Sequence, residues 1–307
     1  MDQNSLFTNY FADWIDTYKR RAVSPVTLRK YETSLKRLGE IAPTLAIAQL
    51  DRRAYQGILN AYAQTHERQT TLDFHHQLRA AILDALDDGL IKHDPTRRAV
   101  AKGVTHRPRS AKFLSLSQLA RLLSVLELGD GPSWDYFIYL VAKTGLRFAE
   151  ALGVTPADVS LEKSTVTVSK TWDYKSATPG FAPTKNRSSI RTIKLDHSAA
   201  NVIGVLINGL PTAQPIFVAS GRRVFNEVAN DRLRHLCATA GIPSITVHGL
   251  RHTHASILLY AGVSVASVAR RLGHANMATT QKTYLHVIEE LEAQDDEKAT
   301  RCLEALG

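Results

Sequence analysis

The segment DVSLEKSTVTVSKTWDYKSATPGFAPTKNRSSIRTIKL, residues 158–195, decides the fold of this 307-residue chain, because its two ends carry an apolar spacing of two. Alternation of that kind marks strands with one buried face, whereas helices repeat every three to four residues. DVSLEKSTVTVSK predicts two strands around a turn at Glu162-Lys163, and SIRTIKL predicts a third. The stretch between them, TWDYKSATPGFAPTKNRS, is basic and punctuated by proline and glycine, and is expected to be a long turn.

Outward from this sheet the pattern is helical. On the N-terminal side, Ser115 or Ser117 caps QLARLLSVLEL, and WDYFIYLVAKTG follows as an apolar helix stopped by Gly145. On the C-terminal side, SAANVIGVLING and RRVFNEVANDRLRHLCATAG begin a run of helices that continues to the end. The first hundred residues carry no convincing alternation. Phe7, Phe11, Trp14, Ile15 and Tyr18 are spaced as one helix face, Ser24-Pro25 supplies a cap and first-turn proline for a second helix, and DRRAYQGILNAYAQ and TTLDFHHQLRAAILDALDDG, closed by Gly89, make four. The expected fold is therefore mainly α with a small antiparallel β-sheet, an α+β domain at 114–287, preceded by a separate all-α domain at 1–94. The basic, aperiodic stretch 95–113 is expected to be a linker, and 288–307 an acidic tail.

An apolar fraction of 44% and a charged fraction of 22% suit a globular protein with two cores. No basic patch followed by an apolar run opens the chain, and no stretch approaches a membrane span, so a cytoplasmic protein with no membrane partner is expected. Cys237 and Cys302 lie far apart and outside any C-x-x-C spacing, so neither a disulfide framework nor a thiolate zinc site is indicated. The formal net charge of +9 is unevenly spread: residues 104–287 hold 21 Lys/Arg against 10 Asp/Glu, whereas 288–307 hold 7 acids against 2 bases. A basic body of this kind favours a polyanionic partner. Lys19, Arg20, Arg21, Arg29, Lys30, Lys36 and Arg37 give the N-terminal helices basic faces open to two readings, a surface for DNA or an ordinary solvated side.

The chemistry concentrates near the end. HGLRHTHASILLYAGVSVASVARRLGHANMATTQKTY, residues 248–284, contains four histidines, three arginines and a terminal tyrosine. A metal site is a poor reading of His248, His252 and His254: a helical zinc motif carries a glutamate, Arg251 would repel a cation, and no acidic residue lies between Asp231 and Glu289. Neither a metal nor a cofactor is expected. A phosphate site uses the residues better, because His248 and Arg251 share one face at a helix start, and His274 and Tyr284 fall at later element ends. Earlier, KTGLRFAEAL places Arg147 past a helix-ending glycine with Glu150 three residues on, and PTKNRSSIRTI places Lys185 on an exposed turn. His252 and His254 are expected to be structural, His254 in a buried stripe with Leu250, Ile257, Leu258 and Ala261. Arg270 and Arg271 suit a helix C-terminus, and His286 has no assigned role.

Arg147, Lys185, His248, Arg251, His274 and Tyr284, in this order, resemble the catalytic set of the tyrosine recombinase, or phage integrase, family. The likeness covers the chain from about Ala111 to Val287, and the N-terminal helices resemble the family's SAM-like core-binding domain. The spacing from His274 to Tyr284 is more like that of phage and conjugative-transposon integrases than of Xer-type resolvases. The resemblance implies site-specific cleavage and rejoining of double-stranded DNA through a 3′-phosphotyrosine, without metal, in integrating or excising a mobile element. It implies Tyr284 as nucleophile, His248 as its proton acceptor, Arg147 and Arg251 as a phosphate clamp, Lys185 as proton donor to the leaving 5′ oxygen, His274 on a nonbridging oxygen, and Glu150 orienting its neighbours. It also implies a homotetramer on two DNA sites, an accessory DNA-bending or directionality factor, and an acidic tail that packs in trans. An invertase or resolvase of the same family, a type IB topoisomerase and a non-cleaving DNA-binding regulator use overlapping residue sets. The chain opens almost directly on the helical unit, with no room in this sequence for an arm-binding domain ahead of it, which fits either a simpler inversion or resolution role or numbering from an internal start.

Overall fold

The computed structural model describes residues 5–104, 113–176, 178–218 and 223–284. The chain divides into two compact units at Pro108 and Arg109.

The first unit is a four-helix assembly: α1 (Phe7–Tyr18), α2 (Pro25–Ile41), α3 (Arg52–Ala63) and α4 (Arg68–Asp87). Its core is built from the apolar faces read in the sequence: Phe7, Phe11, Trp14 and Ile15 from α1 meet Leu38, Tyr55, Leu59, Phe74, Leu78 and Ile82. Ser24 caps α2 by accepting the Thr27 amide at 3.3 Å, with Pro25 in the first turn, and Asp51 caps α3 by accepting the Ala54 amide at 2.7 Å. Tyr10 Oη donates to the Ala81 carbonyl at 3.2 Å and Trp14 Nε1 donates to Asp84 at 2.5 Å, so the aromatic face of α1 fixes its register on α4 through the polar tips of its rings.

The stretch expected to begin a linker at Pro95 instead belongs to this unit through Val104. Asp94 Oδ1 accepts from the amide and hydroxyl of Thr96 at 2.8 and 2.6 Å, making a tight turn. Gln56 of α3 then pairs like a strand neighbour with Val100, donating to its carbonyl and accepting its amide, both at 2.9 Å, and the Val104 amide donates to His66 O at 3.0 Å. These anchors use backbone groups, so no apolar periodicity announces them. Residues 105–112 of the expected linker lie outside the described residues.

The second unit places helices around two small antiparallel sheets. Its elements are α5 (Leu116–Ser124), α6 (Trp134–Thr144), α7 (Phe148–Leu152), β1 (Val159–Ser160), β2 (Thr165–Val168), β3 (Lys170–Asp173), β4 (Gly180–Pro183), β5 (Arg191–Lys194), α8 (His197–Ile207), α9 (Asn226–Thr239), α10 (Val247–Tyr260), α11 (Val265–Leu272) and α12 (Met277–Thr283). Ser115, not Ser117, caps α5, closing a capping box with Gln118. Helix α6 is buried from Tyr136 through Ala142, as its all-round apolarity requires, and α10 packs along it.

The first sheet has the order β1-β2-β5, with Val166 opposite Ile193, and these residues with Val168 and Leu195 turn into the core. The long turn expected between the second and third strands is a correction: Lys170–Asp173 and Gly180–Pro183 form a separate hairpin, β3-β4. Trp172 and Phe181 face each other across it, rings edge-on at 5.1 Å, and this aromatic cross-strand pair supplies the stability that the proline- and glycine-broken sequence conceals. A third, small apolar cluster, Ala255, Leu259, Val268, Leu272 and Tyr284, lies between α10, α11 and the end of α12. No described helix is long and apolar enough to cross a membrane. Cys237 is buried in the main core, whereas Cys302, His286 and the acidic tail at 288–307 lie outside the described residues.

Candidate active site

Three arginines from distant parts of the chain converge on one helix end. Helix α11 stops at Gly273, whose φ of +69° turns the chain and leaves the last carbonyls without helical partners. Arg191 Nε donates to the Arg271 carbonyl at 2.6 Å, Arg251 Nη2 to the Leu272 carbonyl at 2.8 Å, and Arg147 Nη2 to the Gly273 carbonyl at 3.0 Å. The negative end of a helix dipole thus gathers cations that would otherwise repel one another.

Each arginine has a second anchor. Arg251, on α10 and 3% exposed, donates through Nη1 to the carbonyl of Gly145 at 2.7 Å, so the left-handed stop of α6 holds it from the other side. Arg147 and Arg191 share Glu150, which is 2% exposed: its Oε1 accepts from Arg147 Nη1 at 2.6 Å, and its Oε2 accepts from Arg191 Nη2 at 2.9 Å and from the Arg147 amide at 3.0 Å. Burial alone would raise the Glu150 pKa, but the hydrogen bond and charge of Arg191, with the charge of Arg147, outweigh it and hold the carboxylate below its usual range. Among the described residues, three guanidinium groups here meet one carboxylate, which leaves the centre net positive. Burial, with the neighbouring charge of Arg147, pulls Arg251 down to about 9, so it stays protonated at neutral pH and gains when an anion enters.

Arg191 was missed as a site residue, although it lies inside the motif that contains Lys185. It sits two residues from the buried Ile193 in β5, on the same strand face, and a charge in an inward register is the signal that could have found it.

The histidines of α10 separate into three fates. His254 is buried, as expected: its Nε2 accepts from Arg271 Nε at 2.8 Å and its Nδ1 donates to the Ala142 carbonyl at 3.0 Å, which fixes a neutral ring. Burial and the charge of Arg271 press its pKa down to about 3. Of the stripe expected around it, Leu250 is buried, Ile257 and Leu258 are half-buried, and Ala261 is exposed. His248 opens to solvent, with its pKa lowered by the surrounding protein and then by Arg251 and Arg147. His252, expected to be structural, forms a hydrogen bond through Nδ1 with the hydroxyl of Tyr284 at 2.9 Å, so the phenol meets His252 rather than His248.

Tyr284 ends α12 and is 2% exposed, its ring packed in the cluster with Leu259, Val268 and Leu272. Burial drives its pKa up to about 12, and the charge of Arg251 works against that rise. His274 follows Gly273 and pairs through Nδ1 with Thr280 Oγ1 at 2.6 Å, tying the end of α11 to α12. Burial, Arg251 and Arg147 lower its pKa to about 4, so it presents a neutral ring. Arg147, Glu150, His248, Arg251, His274 and Tyr284 are thereby brought into one neighbourhood. Lys185 stands on the exposed segment between Pro183 and Arg187, and no hydrogen bond among the described residues ties it to the others.

A model of the phage integrase family matches residues 112–290. The integrase of Staphylococcus phage L54a is 28% identical over 172 residues, which are 51% of this chain and 49% of that protein. The tyrosine recombinase XerC of Rhodospirillum centenum is 31% identical over 140 residues, 45% of this chain and 38% of that one. The chain thus spans half or less of the length of these curated relatives. Among solved structures, the Tn1549 transposon integrase in complex with transposon right end DNA shares the fold with a TM-score of 0.78 at 18% identity, covering 96% of this chain and 100% of that one. A lambda integrase tetramer bound to a Holliday junction aligns with a TM-score of 0.62 at 16% identity over 89% of this chain and 79% of that one. With the matched span containing the whole arginine, histidine and tyrosine set, the chain belongs to the phage integrase family.

Proposed function

We propose that this protein is a site-specific DNA recombinase that breaks and rejoins duplex DNA through a 3′-phosphotyrosine, in the service of a mobile element. The observation that carries the reading is that one chain supplies both nucleophile and clamp: Arg251 donates to the Leu272 carbonyl at 2.8 Å and Arg147 to the Gly273 carbonyl at 3.0 Å, while the Tyr284 ring packs in one apolar cluster with Leu272. Attack on a phosphodiester needs a nucleophile, fixed positive charge at the nonbridging oxygens and a proton for the leaving oxygen. Tyr284 attacks phosphorus, and Arg147 and Arg251 hold the nonbridging oxygens. His274 donates a hydrogen bond to the same phosphate, and Lys185, on its exposed turn, closes over the DNA to protonate the 5′ oxygen. Fixed guanidinium charges meet the electrostatic demand that a metal ion meets elsewhere, so the reaction runs without one. Glu150 and Arg191 hold the clamp from behind. Conserving the bond energy in the phosphotyrosine lets a partner strand reverse the step, and four protomers on two sites, in the cytoplasm, complete an exchange.

Duplexes selected from a random-sequence pool by binding, then nicked near their centre, test the reading. Wild-type protein is expected to form a covalent protein–DNA adduct and Tyr284→Phe to form none, both in the presence of a chelator. Binding without any adduct points instead to a non-cleaving regulator. Relaxation of plasmids lacking the selected sequence points to a topoisomerase.

A further inference from the structure

We infer that His252 is the proton acceptor for Tyr284, a role that rests on the recombinase reading above. Tyr284 Oη and His252 Nδ1 are 2.9 Å apart, across 32 residues of chain. Among the described residues this is the phenol's hydrogen bond, and with the tyrosine 2% exposed, bulk water is a poor alternative base. The rings meet edge-on with centroids 5.6 Å apart, and the His248 ring stands edge-on to His252 at 4.7 Å. The acceptor is therefore in contact with two rings and in hydrogen-bond reach of the one proton that must leave before an oxygen–phosphorus bond can form.

The step balances. As Tyr284 Oη bonds to phosphorus, its O–H bond breaks and the proton passes to His252 Nδ1; the bond from phosphorus to the 5′ oxygen breaks, and that oxygen takes a proton from Lys185. In rejoining, the 5′ hydroxyl returns its proton to Lys185, and His252 returns its proton to Tyr284 as the phosphotyrosine bond breaks. An imidazole, unlike the permanently charged arginines around it, can carry a proton both ways near neutral pH. Among the described residues, the groups near it are His248 one turn back on α10, its chain neighbour Arg251, His274 beyond α11, which feels its charge, and Tyr284 itself. A bound phosphodiester adds the negative charge that steadies the imidazolium among these cations.

His252→Asn keeps a polar atom near the position of Nδ1 but takes up no proton, and His252→Ala removes both functions. On the nicked duplex, His252→Asn is expected to bind DNA as tightly as wild type while forming adduct at least about 10²-fold more slowly at pH 7, with the deficit shrinking as pH rises. A second measurement does not depend on turnover: the ¹³Cζ resonance of Tyr284, assigned by its loss in Tyr284→Phe, should follow an imidazole titration in wild type and lose that response in His252→Ala. Adduct formation by His252→Asn within a few-fold of wild type, with an unchanged pH profile, overturns the assignment, as does a Tyr284 resonance indifferent to His252→Ala. If wild type forms no adduct, the recombinase reading itself fails and this role fails with it.

Discussion

Arg147 Nη2 and the carbonyl of Gly273 lie 3.0 Å apart, so a guanidinium at the start of α7 closes the end of α11, 126 residues later. Gly273 is confined there twice over. Its φ is +69°, and a Cβ would stand 2.8 Å from Arg191 Nη1 and 3.1 Å from the Ser189 Cα. Gly273→Ala is therefore expected to cost more than the roughly 1 to 2 kcal/mol of a left-handed alanine, and to displace Arg147 and Arg191 together. Denaturant midpoints and adduct yield should fall in parallel; an alanine variant with wild-type values in both would refute the coupling.

Arg191 and Arg147 share Glu150 but should respond differently to removal. The Arg191 side chain is 7% exposed and Glu150 2%, so Arg191→Ala leaves a buried carboxylate short of a partner, a loss of about 3 to 5 kcal/mol. Arg147, 35% exposed, should cost less stability, while its loss is expected to abolish adduct formation. Urea melts and adduct assays on both variants check this ordering.

Acid should weaken the second unit before its carboxylates titrate. His254 has a folded pKa of about 3 against an ordinary value of 6.5, so the unfolded chain binds its proton first. Its contribution is complete above about pH 6.5 and is lost as pH falls toward 3, at about 1.4 kcal/mol per pH unit. His274 adds in the same direction down to about pH 4, and Glu150 below its ordinary 4.5. The unfolding midpoint of wild type should therefore drop between pH 7 and 5, and His254→Gln should flatten that slope. A slope unchanged by the substitution counts against the buried neutral ring.

In the first unit, Gln56→Ala should release the segment around Val100 at a cost of about 1 kcal/mol. The two hydrogen bonds it removes are the side-chain ties to that residue. Limited trypsinolysis at Arg97, Arg98 and Lys102 should accelerate, with no change in the helical content of the unit; equal cleavage rates would mean the segment is held by other contacts.

Much of this architecture was legible in the sequence. The aromatic face of α1, the Ser24-Pro25 start of α2 and the stops at Gly89 and Gly145 depend on local rules of helix geometry and capping, and they stand where those rules put them. The Val166 and Ile193 register follows from a period of two. The β3-β4 hairpin was not legible, because its stability comes from Trp172 meeting Phe181 across a turn rather than from either strand alone. The packing of 95–104 escaped for a similar reason: it depends on polar ties from Asp94 and Gln56 to backbone groups of the segment, and such ties leave no apolar periodicity.

By itself the sequence determined the composition of the site: two arginines, a lysine, two histidines and a tyrosine at element ends, in one order, with a carboxylate three residues from the first arginine. Side-chain chemistry and periodicity are local properties, so they can be read along a line. Tertiary structure alone decided which groups touch. It brought Arg191 in as a third cation, laid three guanidinium groups on the last carbonyls of α11, and put His252 rather than His248 on the phenol. Those choices depend on where a helix end and a tyrosine ring come to rest when separate cores pack, and packing is a property of the whole unit.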